Sequence, residues 1–82
     1  MSVTTDHRPL RVIADEISTD WLRVYFGAVP YLDALHDLDR ITDDYGQDSA
    51  RSIVLYFLAN AQGWRGATAR RIKAELKTIA GL

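Results

Sequence analysis

The chain has 82 residues, no cysteine and a formal net charge of −1. Without cysteine, disulfides, thiolate metal sites and cysteine nucleophiles are excluded, and the near-neutral balance lacks the basic excess usual in DNA-binding domains. A hydrophobic content of 48% is too high for a disordered chain, yet the longest apolar run, Ile53 to Ala59, falls far short of a membrane span of ~20 residues.

Met1 to His7 is polar and carries no apolar stretch of the kind a secretory signal needs. Residues 1–8 are therefore expected to form a flexible segment ahead of a single helical domain over 9–82, in a cytoplasmic protein. Pro9 suits a first helical position, because its missing N–H would have no intrahelical partner. From Leu10 onward, Ile13, Ala14, Ile17, Trp21, Val24 and Tyr25 fall on one side at the helical repeat of ~100° per residue. Arg11, Asp15, Glu16, Thr19 and Arg23 lie outside that sector. The pattern predicts a first helix over 9–26, closed by Gly27 and barred from continuing by Pro30. A break at Ser18-Thr19-Asp20, three residues suited to helix N-caps, is the alternative.

A second helix is expected over 30–44, with Tyr31, Leu35, Leu38 and Thr42 on one face and Asp33, Asp37 and Arg40 pointing away. Tyr45-Gly46-Gln47 reads as a turn, after which Asp48 is placed to cap a third helix over 49–62. There Ala50, Ile53, Val54, Phe57, Leu58 and Ala61 keep the helical spacing, while Leu55, Tyr56 and Ala59 spread apolar character to the other sides. Such a helix is either central or contributes one side to an interface. The Gly63-Trp64-Arg65-Gly66 corner leads to a fourth helix over 67–80, whose stripe is Ala69, Ile72, Leu76, Ile79 and Ala80. Gly27, Gly46, Gly63 and Gly81 thus read as four helix stops. No strict strand alternation is present, so the expected fold class is all-α: a compact four-helix domain with short glycine-containing corners.

Charge is unevenly spread. Residues 1–48 hold ten acids and four arginines, a net −6, whereas residues 49–82 hold six bases and only Glu75, a net +5. The simplest arrangement packs the two halves together so that their fields cancel. A basic face for an acidic partner is the sharper reading.

Reactive chemistry is sparse. With Asp37 and Asp39 at the first positions of a calcium loop, Thr42 occupies the required glycine and Asp48 the required glutamate, so the motif fails. His7 and His36 lack the spacing of a metal pair, and Ser18, Ser49 and Ser52 have no glycine-flanked elbow or neighbouring base in sequence. No cofactor, metal or catalytic residue is expected, and the protein reads as a non-enzymatic one. So short a chain, without disulfides, has little buried surface, which favours association with itself or with another protein. The candidate partner-binding residues are Tyr56, Trp64 and Arg65. Trp64 is also read as a corner packed on the core with Arg65 stacked on its ring, and Tyr25, Phe26 and Tyr31 as an aromatic plug. Asn60, among apolar neighbours, is an end-of-helix amide or an interface specificity device. The alternative function is DNA binding by a helix–turn–helix-like unit of helices three and four, with Arg65, Arg70, Arg71, Lys73 and Lys77 as the contact set. A membrane partner is not expected.

The stretches Ser18-Thr19-Asp20-Trp21, Tyr25 to Leu32, Tyr56 to Ala61, Trp64-Arg65-Gly66 and Ala69 to Leu76 together resemble small uncharacterised proteins of actinobacterial phages, mycobacteriophages especially. The likeness spans most of residues 10–78. That family has no assigned activity, so it lends no site residue. What it implies is a setting: the host cytoplasm, where a small phage protein binds host or phage factors.

Overall fold

A computed structural model describes residues 7–82. Among these residues are four helices, α1 (Leu10–Asp20), α2 (Val29–His36), α3 (Ala50–Ala59) and α4 (Ala67–Ile79). Between α2 and α3 lies a two-stranded antiparallel ribbon, β1 (Asp44–Tyr45) and β2 (Asp48–Ser49). The domain is therefore mostly helical but not purely all-α. The expected flexible segment 1–8 lies outside the described residues except for His7 and Arg8.

The start of α1 shows why the second helix is shorter than its apolar pattern suggests. Pro9 has no side chain to cap α1, and two of its leading N–H groups are satisfied by the chain that follows α2. Leu10 N–H donates to the Asp39 carbonyl at 2.9 Å, and Arg11 N–H to the Leu38 carbonyl at 2.8 Å. Residues 37–43 are consequently committed elsewhere. The Asp43 carboxylate accepts the N–H groups of Asp39 and Arg40 at 3.1 and 2.9 Å, a local arrangement that competes with helix. So α2 stops at His36, not at residue 44, although Leu38 is still buried and Ile41 still packs on the core. The chain then reverses through Gly46-Gln47, with Gly46 at φ 62°, the left-handed geometry a two-residue hairpin turn requires.

The first helix is also shorter than expected, ending at Asp20 instead of 26. Its end falls at the serine–threonine–aspartate break, but no second helix starts there. Trp21 leaves helical geometry (φ −95°, ψ 89°) and turns inward, so its position on the apolar sector is kept while the helix is not.

Ser49 rather than Asp48 caps α3, its hydroxyl accepting from Ser52 N–H at 3.1 Å. Asp48 is in the ribbon instead, paired with Tyr45. The helix buries Ala50, Ile53, Val54 and Phe57, and Ala61 follows them into the core. α4 matches its expected span to one residue. It closes with Gly81 at φ 78°, Gly81 N–H donating to Thr78 and Leu82 N–H to Lys77, the double bond of a Schellman end. Gly27 and Gly63 do not take a left-handed φ, so they are not helix stops of this kind.

One core joins all four helices. α1 lies against α2 and α4, and α3 lies chiefly against α2. Every side chain in the core cluster is hydrophobic, and among the described residues no buried side-chain polar atom lacks a hydrogen-bond partner. The two oppositely charged halves are joined by Arg8, which binds Glu75 and Glu16, and by Arg71, which binds Glu16.

Candidate functional site: an exposed aromatic face

The connection between α1 and α2 divides its side chains between two environments. Trp21 points in, stacking on Trp64 at 5.7 Å with rings nearly parallel, and both meet Phe57 edge to face. Leu22 and Phe26 point out and are 83% and 80% exposed. Tyr25 packs on Phe26 (4.8 Å between centroids), and Val29 at the start of α2 extends the same exposed segment. Gly27 lies beneath this pair. A Cβ there would fall 2.5 Å from Tyr25 Cε2 and 2.9 Å from Asn60 Oδ1, so the close approach needs a residue without one.

That approach brings the connection to the end of α3. Tyr25 shares an open groove of about 380 Å³ with Ala59, Asn60, Gln62 and Gly63. Asn60 caps the end of α3, its side-chain amide donating to the Tyr56 carbonyl at 2.9 Å, the end-of-helix role. One turn earlier, Tyr56 is 46% exposed and packs on Tyr31 of α2 at 5.3 Å. The expected plug of Tyr25, Phe26 and Tyr31 therefore does not form: Tyr31 pairs with Tyr56, and the other two rings stay at the surface.

The candidate partner residues separate accordingly. Tyr56 and Arg65 are exposed, while Trp64 is only 2% exposed and belongs to the core. Its indole Nε1–H donates to Asp20 Oδ2 at 2.8 Å, which satisfies the one polar group this ring brings inside. The cation over the ring is Lys73, at 5.9 Å, not Arg65. Lys73 Nζ also donates to the Trp64 carbonyl at 2.6 Å. Burial, with Lys77 and Arg65 nearby, holds the Lys73 ammonium below the usual lysine range.

Of the five cations proposed for nucleic acid, Arg71 is occupied by Glu16 and Lys73 by Trp64. Arg65, Arg70 and Lys77 remain exposed, without an ion pair among the described residues. Residues 60–66 separate α3 from α4, a longer link than the three to four residues of a helix–turn–helix, and α4 lies against α1.

Folding also assembles one constellation that sequence spacing did not show. His36, the last residue of α2, lies 3.0 Å through Nε2 from Ser18 Oγ and 3.2 Å through Nδ1 from Asp15 Oδ1. Serine, histidine and aspartate in that order match the connectivity of a nucleophilic triad. Their setting differs. Asp15 has 75% of its side chain exposed, and Ser18 sits in the last turn of α1, where carbonyl ends gather. An oxyanion formed at Ser18 would face the negative end of that helix dipole, the reverse of the stabilisation acyl transfer requires. The arrangement ties α1 to α2.

A second hollow, about 760 Å³, is lined by Arg8, Leu10, Arg11, Asp39, Ile41 and Ile79 among others. Two of its arginines are already engaged: Arg11 binds Asp39 at 2.7 Å, and Arg8 forms a two-pronged bond to Glu75 at 2.7 and 2.8 Å. The bond to Glu75 raises the Arg8 pKa further above its already high ordinary value, and the bond to Arg71, followed by that to Arg8, holds Glu16 below the usual carboxylate range. Among the described residues no group of three or more histidine or acidic side chains converges as for a metal ion, and no helix is long and apolar enough to cross a membrane.

Leu22, Tyr25 and Phe26 were read from periodicity as part of helix one or its corner. Their exposure depends on where α1 ends; the Ser18-Thr19-Asp20 break marks that end, while the apolar sector continues past it. Comparison with protein-family models, with curated proteins and with solved structures finds no match.

Proposed function

We propose that this chain is a non-enzymatic interaction protein, and that its working surface is the face formed by Leu22, Tyr25, Phe26 and Val29 with Tyr56. The supporting observation is the exposure of Leu22 and Phe26 beside a core that buries 21 hydrophobic residues. Removing each such side chain from water contributes about 1.5–3 kcal/mol, so a segment that leaves several outside holds that energy for a partner. The rings of Tyr25 and Phe26 already pack on one another, which lowers the entropy lost on docking. The resemblance to phage proteins sets this activity in a host cytoplasm, with a host or phage protein, or the chain itself, as the bound species.

The test is site-specific photo-cross-linking in cells, with benzoylphenylalanine in place of Phe26 and, as a control, in place of Arg70. One discrete adduct from position 26 and none from position 70 is the expected result. Position 26 giving no adduct, or the same smear as position 70, would remove the reading.

A second reading, nucleic-acid binding, is supported by the three unpaired cations Arg65, Arg70 and Lys77. It has less behind it, because Arg71 and Lys73 are engaged within the chain. A duplex titration at low and high salt tests it: binding must appear at low salt and fall steeply as salt rises.

A further inference from the structure

We propose that Lys73 is a site of covalent acylation by acyl phosphates, its Nζ attacking the acyl carbon while Arg65 and Lys77 hold the phosphate that leaves. The site lies on α4 and the corner before it, and does not rest on the reading of the aromatic face.

The chain has two lysines, Lys73 and Lys77, one helical turn apart on α4, and folding gives them different surroundings. Lys77 is exposed. Lys73 is partly buried, with Nζ 5.9 Å from the centroid of the buried Trp64 ring and 2.6 Å from the Trp64 carbonyl. The nature of that anchor decides what the amine can do. A carboxylate would favour the charged, unreactive ammonium. A carbonyl oxygen accepts one N–H from either form, so the neutral amine keeps its anchor and its lone pair stays free. Among the described residues Lys73 has no ion pair, and Asp20, the acid that reaches this ring from α1, is bound to Trp64 Nε1–H. Burial first, then the charges of Lys77 and Arg65, hold the Lys73 ammonium below the usual lysine range. A desolvated lysine beside other cations is the setting in which an amine becomes a nucleophile.

The same two cations select the reagent. The carbonyl that anchors Nζ belongs to the peptide bond leading into Arg65, and Lys77 stands one turn beyond Lys73 on the same helix. An acyl phosphate carries its negative charge on the leaving group, beside its electrophilic carbon. Phosphate held by Arg65 and Lys77 brings that carbon next to Nζ, and the cations stabilise the charge as it departs. The bond from Nζ to the acyl carbon forms, and the bond from that carbon to the phosphate oxygen breaks, its electron pair leaving on inorganic phosphate. One amine proton is released to water. The amide product keeps an N–H for the Trp64 carbonyl, while the positive charge over the ring and its repulsion from Arg65 and Lys77 are gone.

The experiment is timed acylation of the full chain with acetyl phosphate near neutral pH, followed by peptide mass mapping of both lysines, with acetic anhydride as an uncharged reference reagent. Acetyl phosphate should acylate Lys73 at least about threefold faster than Lys77, although Lys73 is the less exposed of the two. The preference should be smaller with acetic anhydride, which gives the cations nothing to hold, and should vanish in urea, where the two lysines become equivalent. It should also shrink as pH rises towards the ordinary lysine value of 10.5, since Lys77 then supplies free amine as well. Arg65→Gln should bring the acetyl phosphate ratio closer to that of the anhydride. Lys77 reacting as fast as Lys73 in the folded chain overturns the proposal, as does a preference that survives in urea. A ratio equal for the two reagents, or one untouched by Arg65→Gln, removes the phosphate contact and the proposal with it.

Discussion

Trp21, Phe57 and Trp64 meet ring to ring inside the domain, whereas Leu22, Tyr25 and Phe26, beginning one residue further along the chain, stand in solvent. The two groups are chemically alike and equally apolar. They differ in what lies opposite. The inner rings are enclosed by α1, α3 and the corner before α4, and the one polar atom of Trp64 reaches Asp20. Of the outer ones, only Tyr25 lines a groove with the end of α3, and that groove is open to solvent. Burial is thus a property of the surroundings, and a hydrophobic residue left outside marks a place where further surroundings are to be supplied.

The contrast is sharpest at Phe57. Phe57→Ala should lower unfolding free energy by about 3–5 kcal/mol, read by urea denaturation, because the neighbouring rings collapse only partly into the space. A loss below 1 kcal/mol would mean that the inner cluster is not the rigid region described. Next in size is Asp20→Ala, which leaves the buried Trp64 indole without an acceptor and should cost about 1–2 kcal/mol. The tryptophan emission spectrum should shift with it.

Gly27→Ala acts at the boundary between the two groups. The added methyl meets the Tyr25 ring and Asn60 Oδ1, both far ends of side chains that can shift, so the stability cost should stay near about 1 kcal/mol while the exposed face is rearranged. Its signature is an altered Tyr25 environment in NMR spectra with an almost unchanged melting temperature.

Acid should loosen the polar ties around the core more than the core itself. Glu16 is held below its ordinary value of 4.5 chiefly by Arg71, and Asp43 below its ordinary 3.8 by the N–H groups of Arg40 and Asp39. Folded values below unfolded ones mean that the unfolded chain takes up protons first as pH falls. The contribution is fully present above about 4.5 and disappears as pH drops through the folded values. Urea midpoints measured down that range should decline, and Glu16→Gln should remove the earlier part of the decline. The smallest effect belongs to the outer group: Phe26→Ser should alter stability by no more than about 0.5 kcal/mol. A large loss there would place Phe26 in the core after all.

The apolar spacing in α3 and α4 was readable to within a few residues. In both, side chains three and four apart become buried together, and the connecting corner holds a tryptophan in the core. α1 and α2 were over-extended for one shared reason. Apolar residues such as Trp21, Leu38 and Ile41 reach the core from non-helical backbone as readily as from helix, so periodicity does not register the exit. The ribbon was missed because two-residue strands are too short to show alternation. At the candidate site Tyr56 was legible as a surplus apolar residue on α3. Leu22 and Phe26 were not, and the contact of His36 with Ser18 and Asp15 joins two helices at a distance no spacing rule reaches.

Local order in the chain sufficed for four helices, their inward faces, a cysteine-free chemistry and the uneven charge of the two halves, since these follow from side-chain period and composition. Which end of each helix is released, which aromatic rings are enclosed, and which arginines and aspartates are left unmatched depended on contacts between distant segments. Those contacts arise only when the Leu38 and Asp39 carbonyls meet the start of α1 and Trp21 meets Trp64, because backbone groups and rings settle where their partners are and not where their neighbours in sequence would put them.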